Sequence, residues 1–366
     1  MFLAIRDIRF AKGRFAMMGG VVALITLLLV MLSGLTAGLA EQSTSAIGKL
    51  GVAAAKPVDT IVFGAPGAGT PKGSYTESSV TAAQVDSWKS QLGVQSAEPL
   101  GITQTRAQAA DGPGTANVAV FGIRPGSDLA PVEVSTGTAV LGSSTAEALS
   151  VGQGDKVSLG GTELSVAAVV PDQWYAHTSV VWTALPAWAR TAHVTGAQLA
   201  TVVAVTYGPG ASADEAAANA AAHTVSASRT GSFQALGSFK SENGSLTLMQ
   251  AFLYGISALV IVAFLTVWTI QRTRDIAVLK AMGAPGSYIL RDAMTQAAIV
   301  LLAGAGAGGA AGVAAGTFAA QAAPFQLNVG TTVLPVVGIV ALGLAGAALA
   351  VRRVTKVDAL LALGGN

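Results

Sequence analysis

The chain has 366 residues, of which 52% are apolar and only 11% are charged, and its formal net charge is +2. Soluble domains carry about 25% charged residues, so this composition excludes a protein that is soluble throughout. Because the chain has no cysteine, it can form neither disulfides nor thiolate metal sites, and a cysteine nucleophile is excluded as well.

Four uncharged segments are long enough to cross a membrane, since a bilayer core requires about 20 apolar residues in a helix. The predicted transmembrane helices are residues 15–40, 247–270, 293–319 and 332–351, and the last two are joined by a short outer loop at 320–331. The sequence LTAGLAEQ at the end of the first segment has no good A-x-A cleavage site. We therefore expect a retained helix rather than a signal peptide.

The distribution of basic residues predicts the orientation. Residues 1–14, 271–292 and 352–366 hold 11 of the 21 Lys and Arg residues and four acids, whereas residues 41–246 hold 10 basic and 15 acidic residues. Cytoplasmic segments are the ones enriched in Lys and Arg. The N-terminal segment, the loop at 271–292 and the C-terminal tail are thus expected in the cytoplasm, and the protein is expected to be a multi-pass protein of the cell membrane.

Residues 41–246 have the pattern of an extracytoplasmic mixed α/β domain. DTIVFG, NVAVFGI and TVVAVTYG are rich in Val and Ile and end in Gly, which predicts strands. GDKVSLGGTELSVAAVVPD predicts a hairpin around Gly160 and Gly161. SADEAAANAAAH predicts a helix with Ser212 as its N-cap. The predicted fold class is an α-helical membrane protein with four transmembrane helices and a large α/β domain between helices 1 and 2.

Patterns that would indicate an enzyme fail here. Gly64 and Gly69 have the spacing of a phosphate-binding loop, but Thr70 stands where that motif requires Lys. GAGAGG lies inside a predicted transmembrane helix, and neither H-E-x-x-H nor G-x-S-x-G occurs. The three histidines, His177, His193 and His223, are widely separated, and a solvated or hydrogen-bonded role is favoured over metal binding. No catalytic residue, bound metal, covalent cofactor or nucleic-acid partner is predicted.

A ladder of glycines occupies the third predicted transmembrane helix. Its members recur every four residues, which places them on one helical face: Gly304, Gly308, Gly312 and Gly316. Such a face lets a neighbouring backbone approach closely. We favour packing against another helix of the same subunit, and the alternative is a sliding or dimerising surface.

The loop after the second transmembrane helix, QRTRDIAVLKAMGAP, predicts a short amphipathic helix. Ile276, Leu279 and Met282 form an apolar stripe, and Gly283 and Pro285 end the helix. Its charged residues are Arg272, Arg274, Asp275 and Lys280. Such a helix can lie on lipid headgroups, or it can dock onto an acidic partner protein.

Three segments resemble permeases of the ATP-binding-cassette (ABC) class of the FtsX/MacB type, the type VII or mechanotransmission family. RDIAVLKAMGAP resembles the family's coupling helix, with Asp275 where Glu is more usual. AVLGSSTAEALSVGQGDKVSLGGTELSVAAVVPD is similar to its outer-domain segment, and RRVTKVDALLALGG to its cytoplasmic tail. The start MFLAIRDIRFAKGRF and the compact outer domain are most similar to the haem-exporting HrtB permeases within that family.

This resemblance implies a permease homodimer that binds two HrtA-like ATPase subunits, which would carry the ATP. The coupling residues would be the four charged residues and the three apolar residues between 272 and 282. The implied function is export of haem or a similar amphipathic molecule from the membrane. The alternatives are an FtsX-like regulator of cell-wall hydrolases that transports nothing, or an extruder of lipoproteins, peptides or drugs.

Haem as cargo requires an axial donor to its iron, such as Met, Tyr, His or Cys. Met31, Met249 and Tyr254 lie near the outer ends of helices 1 and 2, and Glu41 follows helix 1. In a twofold dimer, one such residue from each subunit would face the iron. The alternative is that Met and Tyr pack and anchor at the membrane interface.

Overall fold

The computed structural model describes residues 12–271, 278, 282, 283 and 285–355. The chain divides into two compact units, of which one contains residues 40–244 and the other contains the described residues on either side. In chain order, the elements are α1 (Lys12–Gly48), β1 (Thr60–Phe63), α2 (Ala82–Lys89), β2 (Val94–Ala109), β3 (Thr115–Ile123), β4 (Thr138–Gly142), α3 (Ser143–Leu149), β5 (Lys156–Leu159), β6 (Thr162–Val170), β7 (Trp174–Tyr175), β8 (Thr178–Ala184), α4 (Leu185–Thr191), β9 (Val202–Tyr207), α5 (Glu215–Ala222), β10 (Val225–Ser228), a 3-10 helix (Gly231–Ala235), α6 (Gly237–Gln271), α7 (Gly286–Ala319) and α8 (Val329–Thr355).

The unit formed by the described residues outside 40–244 is a helix bundle. Among the described residues, four helices (α1, α6, α7 and α8) are long and apolar enough to cross a membrane. Each predicted transmembrane segment lies inside one of them. However, α1 continues to Gly48 and α6 already begins at Gly237, so both helices are longer than their predicted apolar segments. The exact membrane boundaries stay predictions.

The second unit is an α/β domain whose strands form two sheets that share β2. The N-terminal half of β2 pairs with β9, and the order β10-β1-β9-β2 forms an open antiparallel sheet. The C-terminal half of β2 pairs with β3 and also with β5. The second sheet therefore closes into a ring with the order β2-β3-β8-β4-β6-β5-β2. Strand β7 pairs only with β8 among the described strands, as the first arm of a hairpin.

Both faces of β1, β4, β8, β9 and most of β3 are buried, which explains their continuous apolar runs. In β3, Val118 and Val120 belong to one hydrophobic core, while Ala119, Phe121 and Ile123 on the opposite face belong to another. The sheet therefore separates two cores. The second core also contains residues from α1 and α6.

The strands predicted from DTIVFG, NVAVFGI and TVVAVTYG are present as β1, β3 and β9. The predicted hairpin is also present, with β5 paired to β6. Its turn residues Gly160 and Gly161 have φ of 53° and 87°. Positive φ at both central residues is the geometry of a type I′ turn, which glycine adopts without steric cost.

The predicted N-cap of α5 is wrong. Asp214, not Ser212, caps this helix, and its Oδ1 accepts a hydrogen bond from the backbone N of Ala217 at 3.0 Å. The carboxylate of Asp214 lies one residue before the helix, which is the position from which a side chain reaches the free N–H groups of the first turn. The serine lies too far upstream.

Candidate functional site

The glycine ladder lies in the contact between α7 and α1. A Cβ added at Gly304 would lie 2.7 Å from the carbonyl O of Gly19, and one at Gly312 would lie 2.8 Å from Val30 Cγ1. At Gly308, an added Cβ would collide with the backbone of Ala23. The ladder thus faces the same subunit, and the backbones of α1 and α7 approach each other as small-residue packing predicts.

The fourth member of the ladder has a different neighbour. A Cβ at Gly316 would lie 2.6 Å from Phe325 Cε1, in the loop between α7 and α8. The same phenylalanine ring fills the space beside Gly34 of α1, and the N of Gln326 donates to the carbonyl O of Gly34 at 3.0 Å. This loop is therefore held against α1 by a ring and a backbone hydrogen bond, a contact that the sequence did not indicate.

A polar contact joins α1 and α6 next to a predicted cargo residue. The side-chain amide of Gln250 donates to the hydroxyl of Thr36 at 3.1 Å, and that hydroxyl donates to the carbonyl O of Leu32 at 2.7 Å. Hydrogen bonds between helices are common in membrane bundles. Neither residue was predicted from the sequence, although a Gln beside Met249 in the uncharged segment 247–270 is a signal that could have been used.

The predicted cargo residues differ in their surroundings. In the bundle, Met31 is partly buried, Met249 is 56% exposed, and the ring of Tyr254 packs beside Gly338 of α8. Packing of this kind is what the anchoring alternative predicts for tyrosine. In the α/β unit, a carboxylate oxygen of Glu41 lies 2.8 Å from Nζ of Lys49. A ligand role for Glu41 would therefore compete with this exposed ion pair.

Most of the predicted coupling residues lie outside the described residues: Arg272, Arg274, Asp275, Ile276, Leu279 and Lys280. Met282 is described, and its side chain is 71% exposed. Its backbone N donates to the carbonyl O of Val278 at 3.0 Å, and Gly283 follows with φ of 88°. A four-residue helical bond followed by a left-handed glycine is the usual C-terminal end of a helix.

The second core of the α/β domain encloses one end of each of two long helices. Its fully buried members include Ile47 and Leu50 from the end of α1, and it also buries Phe239 from the start of α6. Around them pack aromatic rings of the sheet, with Phe121 and Trp182 edge to face at a centroid distance of 5.1 Å. The two helix ends therefore share one packed interior.

The tyrosines of this core are neutral. Burial raises the pKa of Tyr75 above its ordinary value, although its hydroxyl donates to Ser232 at 2.8 Å, which opposes the shift. Burial alone raises the pKa of Tyr175. Both phenols therefore stay protonated at neutral pH. The core around the helix ends is held by packing and neutral hydrogen bonds.

The described residues contain no group of three or more His, Asp or Glu side chains that could hold a metal ion. The described elements thus give a helix bundle with close glycine packing and an α/β unit whose second core includes Ile47 and Leu50 of α1 and Phe239 of α6.

Two family models match the chain. Residues 15–223 match the MacB-like periplasmic core domain, and residues 230–359 match the FtsX-like permease C-terminal region. Together with the fold, these matches define a membrane permease with a MacB-like domain between its first and second helices. The chain belongs to the FtsX/MacB family of ABC transporter permeases. The predicted family and fold class are confirmed.

Similar proteins include two named HrtB, hemin transport system permease proteins of staphylococci. The protein from Staphylococcus epidermidis is 28% identical over 131 residues, and the one from Staphylococcus haemolyticus is 32% identical over 130 residues. Each match covers 36% of this chain and 37% of the relative. The chain thus matches little more than a third of the length of these relatives.

Among solved structures, the periplasmic region of MacB from Actinobacillus actinomycetemcomitans is similar to 48% of this chain. The match covers 90% of that structure, with a TM-score of 0.36 and 11% identity. A likeness this distant adds nothing to the family match.

Proposed function

We propose that the protein is the permease subunit of an ATP-driven efflux transporter that works by mechanotransmission. The observation that carries this proposal is the shared core at the ends of α1 and α6. Packed interiors repack between discrete arrangements and do not deform continuously. A displacement of either helix is therefore passed to the α/β domain, which is the movement that this mode of transport requires.

The energy source in this proposal is a separate, HrtA-like ATPase, with two copies of each subunit in the complex and ATP bound by the partner. The exposed apolar side chain of Met282 supports a docking role for residues 272–282, since 71% of its surface is left uncovered. The same proposal places this loop and both termini in the cytoplasm and the α/β domain outside. Membrane lipid surrounds the helices.

Haem, or a similar amphipathic molecule, is the proposed cargo. Support comes from the similarity to the HrtB proteins, named hemin transport system permeases, over about a third of the chain. The exposed thioether of Met249 is available as an iron ligand, and Met31 on α1 is partly buried. Thioether sulfur is an established axial ligand of haem iron.

The experiment is to reconstitute the permease with its ATPase in nanodiscs and to titrate haem. We expect haem to raise ATP hydrolysis several-fold and to give a Soret band that shifts in Met249→Ala. The matched control is Leu248→Ala, because Leu248 is 57% exposed on the same helix and has no donor atom. Met31→Ala, Glu41→Ala and Tyr254→Phe complete the set.

Each alternative gives a different result. If a lipoprotein, peptide or drug stimulates ATP hydrolysis and haem does not, the transporter proposal holds but the cargo is not haem. ATPase binding without stimulation by any amphipathic molecule, together with activation of a cell-wall hydrolase, would identify an FtsX-like regulator. Failure to bind any ATPase would overturn the proposal.

A further inference from the structure

The tip of the β7–β8 hairpin has an unusual backbone. Tyr175 pairs with Thr178, so Ala176 and His177 form a two-residue turn, and their φ values are 47° and 64°. Two-residue hairpins with this geometry normally use Asn-Gly, because a Cβ is unfavourable in the left-handed region. Backbone strain of this kind clusters at functional positions. The chain keeps two residues with side chains here.

This strained turn is hydrogen-bonded to the end of α1. The backbone N of Ala176 donates to the carbonyl O of Ser43 at 3.0 Å, and the N of His177 donates to that of Gln42 at 3.0 Å. Two residues before the turn, the N of Trp174 donates to the hydroxyl of Ser45 at 2.9 Å. Three hydrogen bonds thus fasten the hairpin to one stretch of α1.

The histidine side chain reaches a second helix. Its Nε2 lies 2.8 Å from Oε2 of Glu242 on α6 and 3.1 Å from the hydroxyl of Ser43 on α1. A carboxylate only accepts hydrogen bonds at neutral pH, so Nε2 carries the hydrogen and donates it to Glu242. One imidazole therefore contacts both helices. All of these residues belong to the compact α/β unit.

The hairpin is rooted in the sheet. The ring of Tyr175 packs edge to face on Phe121 at 5.5 Å and on Tyr75 at 5.9 Å. From Ser179 onward, β8 pairs in parallel with β3 along the ring of strands. The turn is thus continuous with the sheet and with the aromatic rings of the second core.

We propose that His177 is a positioning residue for mechanotransmission: it fastens the ends of α1 and α6 to the β7–β8 hairpin, so that the two helices move the sheet as one body. This inference rests on the proposed permease function. We call the contact set of Ala176, His177, Ser43 and Glu242 the hairpin clasp. The buried core packs around the helix ends, and the clasp adds directed hydrogen bonds from one turn to both helices.

The first arm of the test uses the permease alone. Hydrogen exchange is measured by mass spectrometry on peptides that contain the turn, in the native chain and in His177→Ala. Loss of the clasp should raise exchange at the turn about tenfold. The matched control is His193→Ala, because His193 is also a left-handed histidine, with φ of 51°, and its side chain is exposed. That variant should leave the β7–β8 turn unchanged.

The second arm uses the complex with its ATPase in nanodiscs. ATP with vanadate should change hydrogen exchange in the α/β domain, and His177→Ala or Glu242→Gln should at least halve that change. ATP hydrolysis without cargo should stay within twofold of the native rate. The double variant should lose no more of the ATP-driven exchange change than either single variant. His177→Gln, which keeps a side-chain N–H, should retain at least half of the native exchange change.

If His177→Ala keeps the full ATP-driven change in hydrogen exchange, or leaves exchange at the turn unaltered, the proposed role of His177 is wrong. If His177→Ala fails to assemble, Glu242→Gln decides by the same readouts. If the native complex binds no ATPase, the permease function fails, and the first arm still shows whether His177 fastens the hairpin to α1.

Discussion

At the scale of single residues, the absence of a side chain defines the contact between α1 and α7. An added Cβ at Gly308 would lie 2.8 Å from the Cα of Ala23, and its nearest neighbour would be the carbonyl O of the same residue. Backbone atoms cannot move aside as the end of a long side chain can. One methyl group should therefore separate the two helices.

We predict that Gly308→Ala destabilises the bundle by about 1–3 kcal/mol, the usual cost of overpacking a tight interior. The control is Gly306→Ala, on the same helix, where an added Cβ meets no atom within 4 Å. That variant should keep or slightly raise the stability of the bundle, because alanine in a helix interior is more favourable than glycine by about 1 kcal/mol of helix propensity. Thermal unfolding in nanodiscs measures the stability of both variants. Equal losses of stability would contradict the close contact between Gly308 and α1.

At the scale of elements, the loop between α6 and α7 carries the coupling prediction. Gly283 has a φ of 88°, and Pro285 is the N-cap of α7. Met282 is exposed at this end. An exposed apolar side chain of this size is suited to a partner surface.

We expect Leu279→Asp and Met282→Asp to abolish cargo-stimulated ATP hydrolysis or to detach the ATPase, because a carboxylate on the stripe would be buried without a partner. Membrane insertion should be normal. Ser287→Asp serves as the control, since it adds the same charge at an exposed position in the first turn of α7. If all three variants assemble with the ATPase and hydrolyse ATP normally, residues 272–282 have no coupling role and form only a surface helix.

The sequence predicted the elements whose signal is local. The β5–β6 hairpin followed from its two glycines, and β1, β3 and β9 followed from their apolar runs. Strand β2 was missed, because Pro99 and Gly101 interrupt it and polar residues fill its C-terminal half. The first turns of α6 were missed for a similar reason, since the polar sequence GSFKSENGS precedes its apolar segment.

The site was less predictable than the fold because its contacts join distant parts of the chain. The partners of His177 lie 134 residues before it and 65 residues after it, and neither spacing is a motif. The strain at its backbone arises from the hairpin register. A histidine in the tripeptide AHT gives no sign of it. Similarly, the glycine ladder indicated a close contact, but only the structure identified α1 as its partner.

At the scale of the whole molecule, the orientation can be tested directly because the chain has no native cysteine. We predict that a cysteine introduced by Gln153→Cys reacts with an impermeant thiol reagent in intact cells, and that one introduced by Ser287→Cys reacts only after permeabilisation. Both positions are exposed, so burial does not mask either thiol. Labelling of the Ser287→Cys variant alone in intact cells would invert the proposed topology.

The pairing of β1 determines when the α/β domain can fold during synthesis on the ribosome. This strand, the first of its domain, is flanked by β9 and β10, and Thr60 pairs with Ser228. At about 5–20 residues per second, a ribosome needs on the order of ten seconds to make the intervening chain. Until then, Ile47 and Leu50 at the end of α1 have no finished core to enter. A nascent chain stopped before β9 should therefore be easily cleaved by proteases. The α/β domain can complete its fold only when synthesis reaches the start of α6.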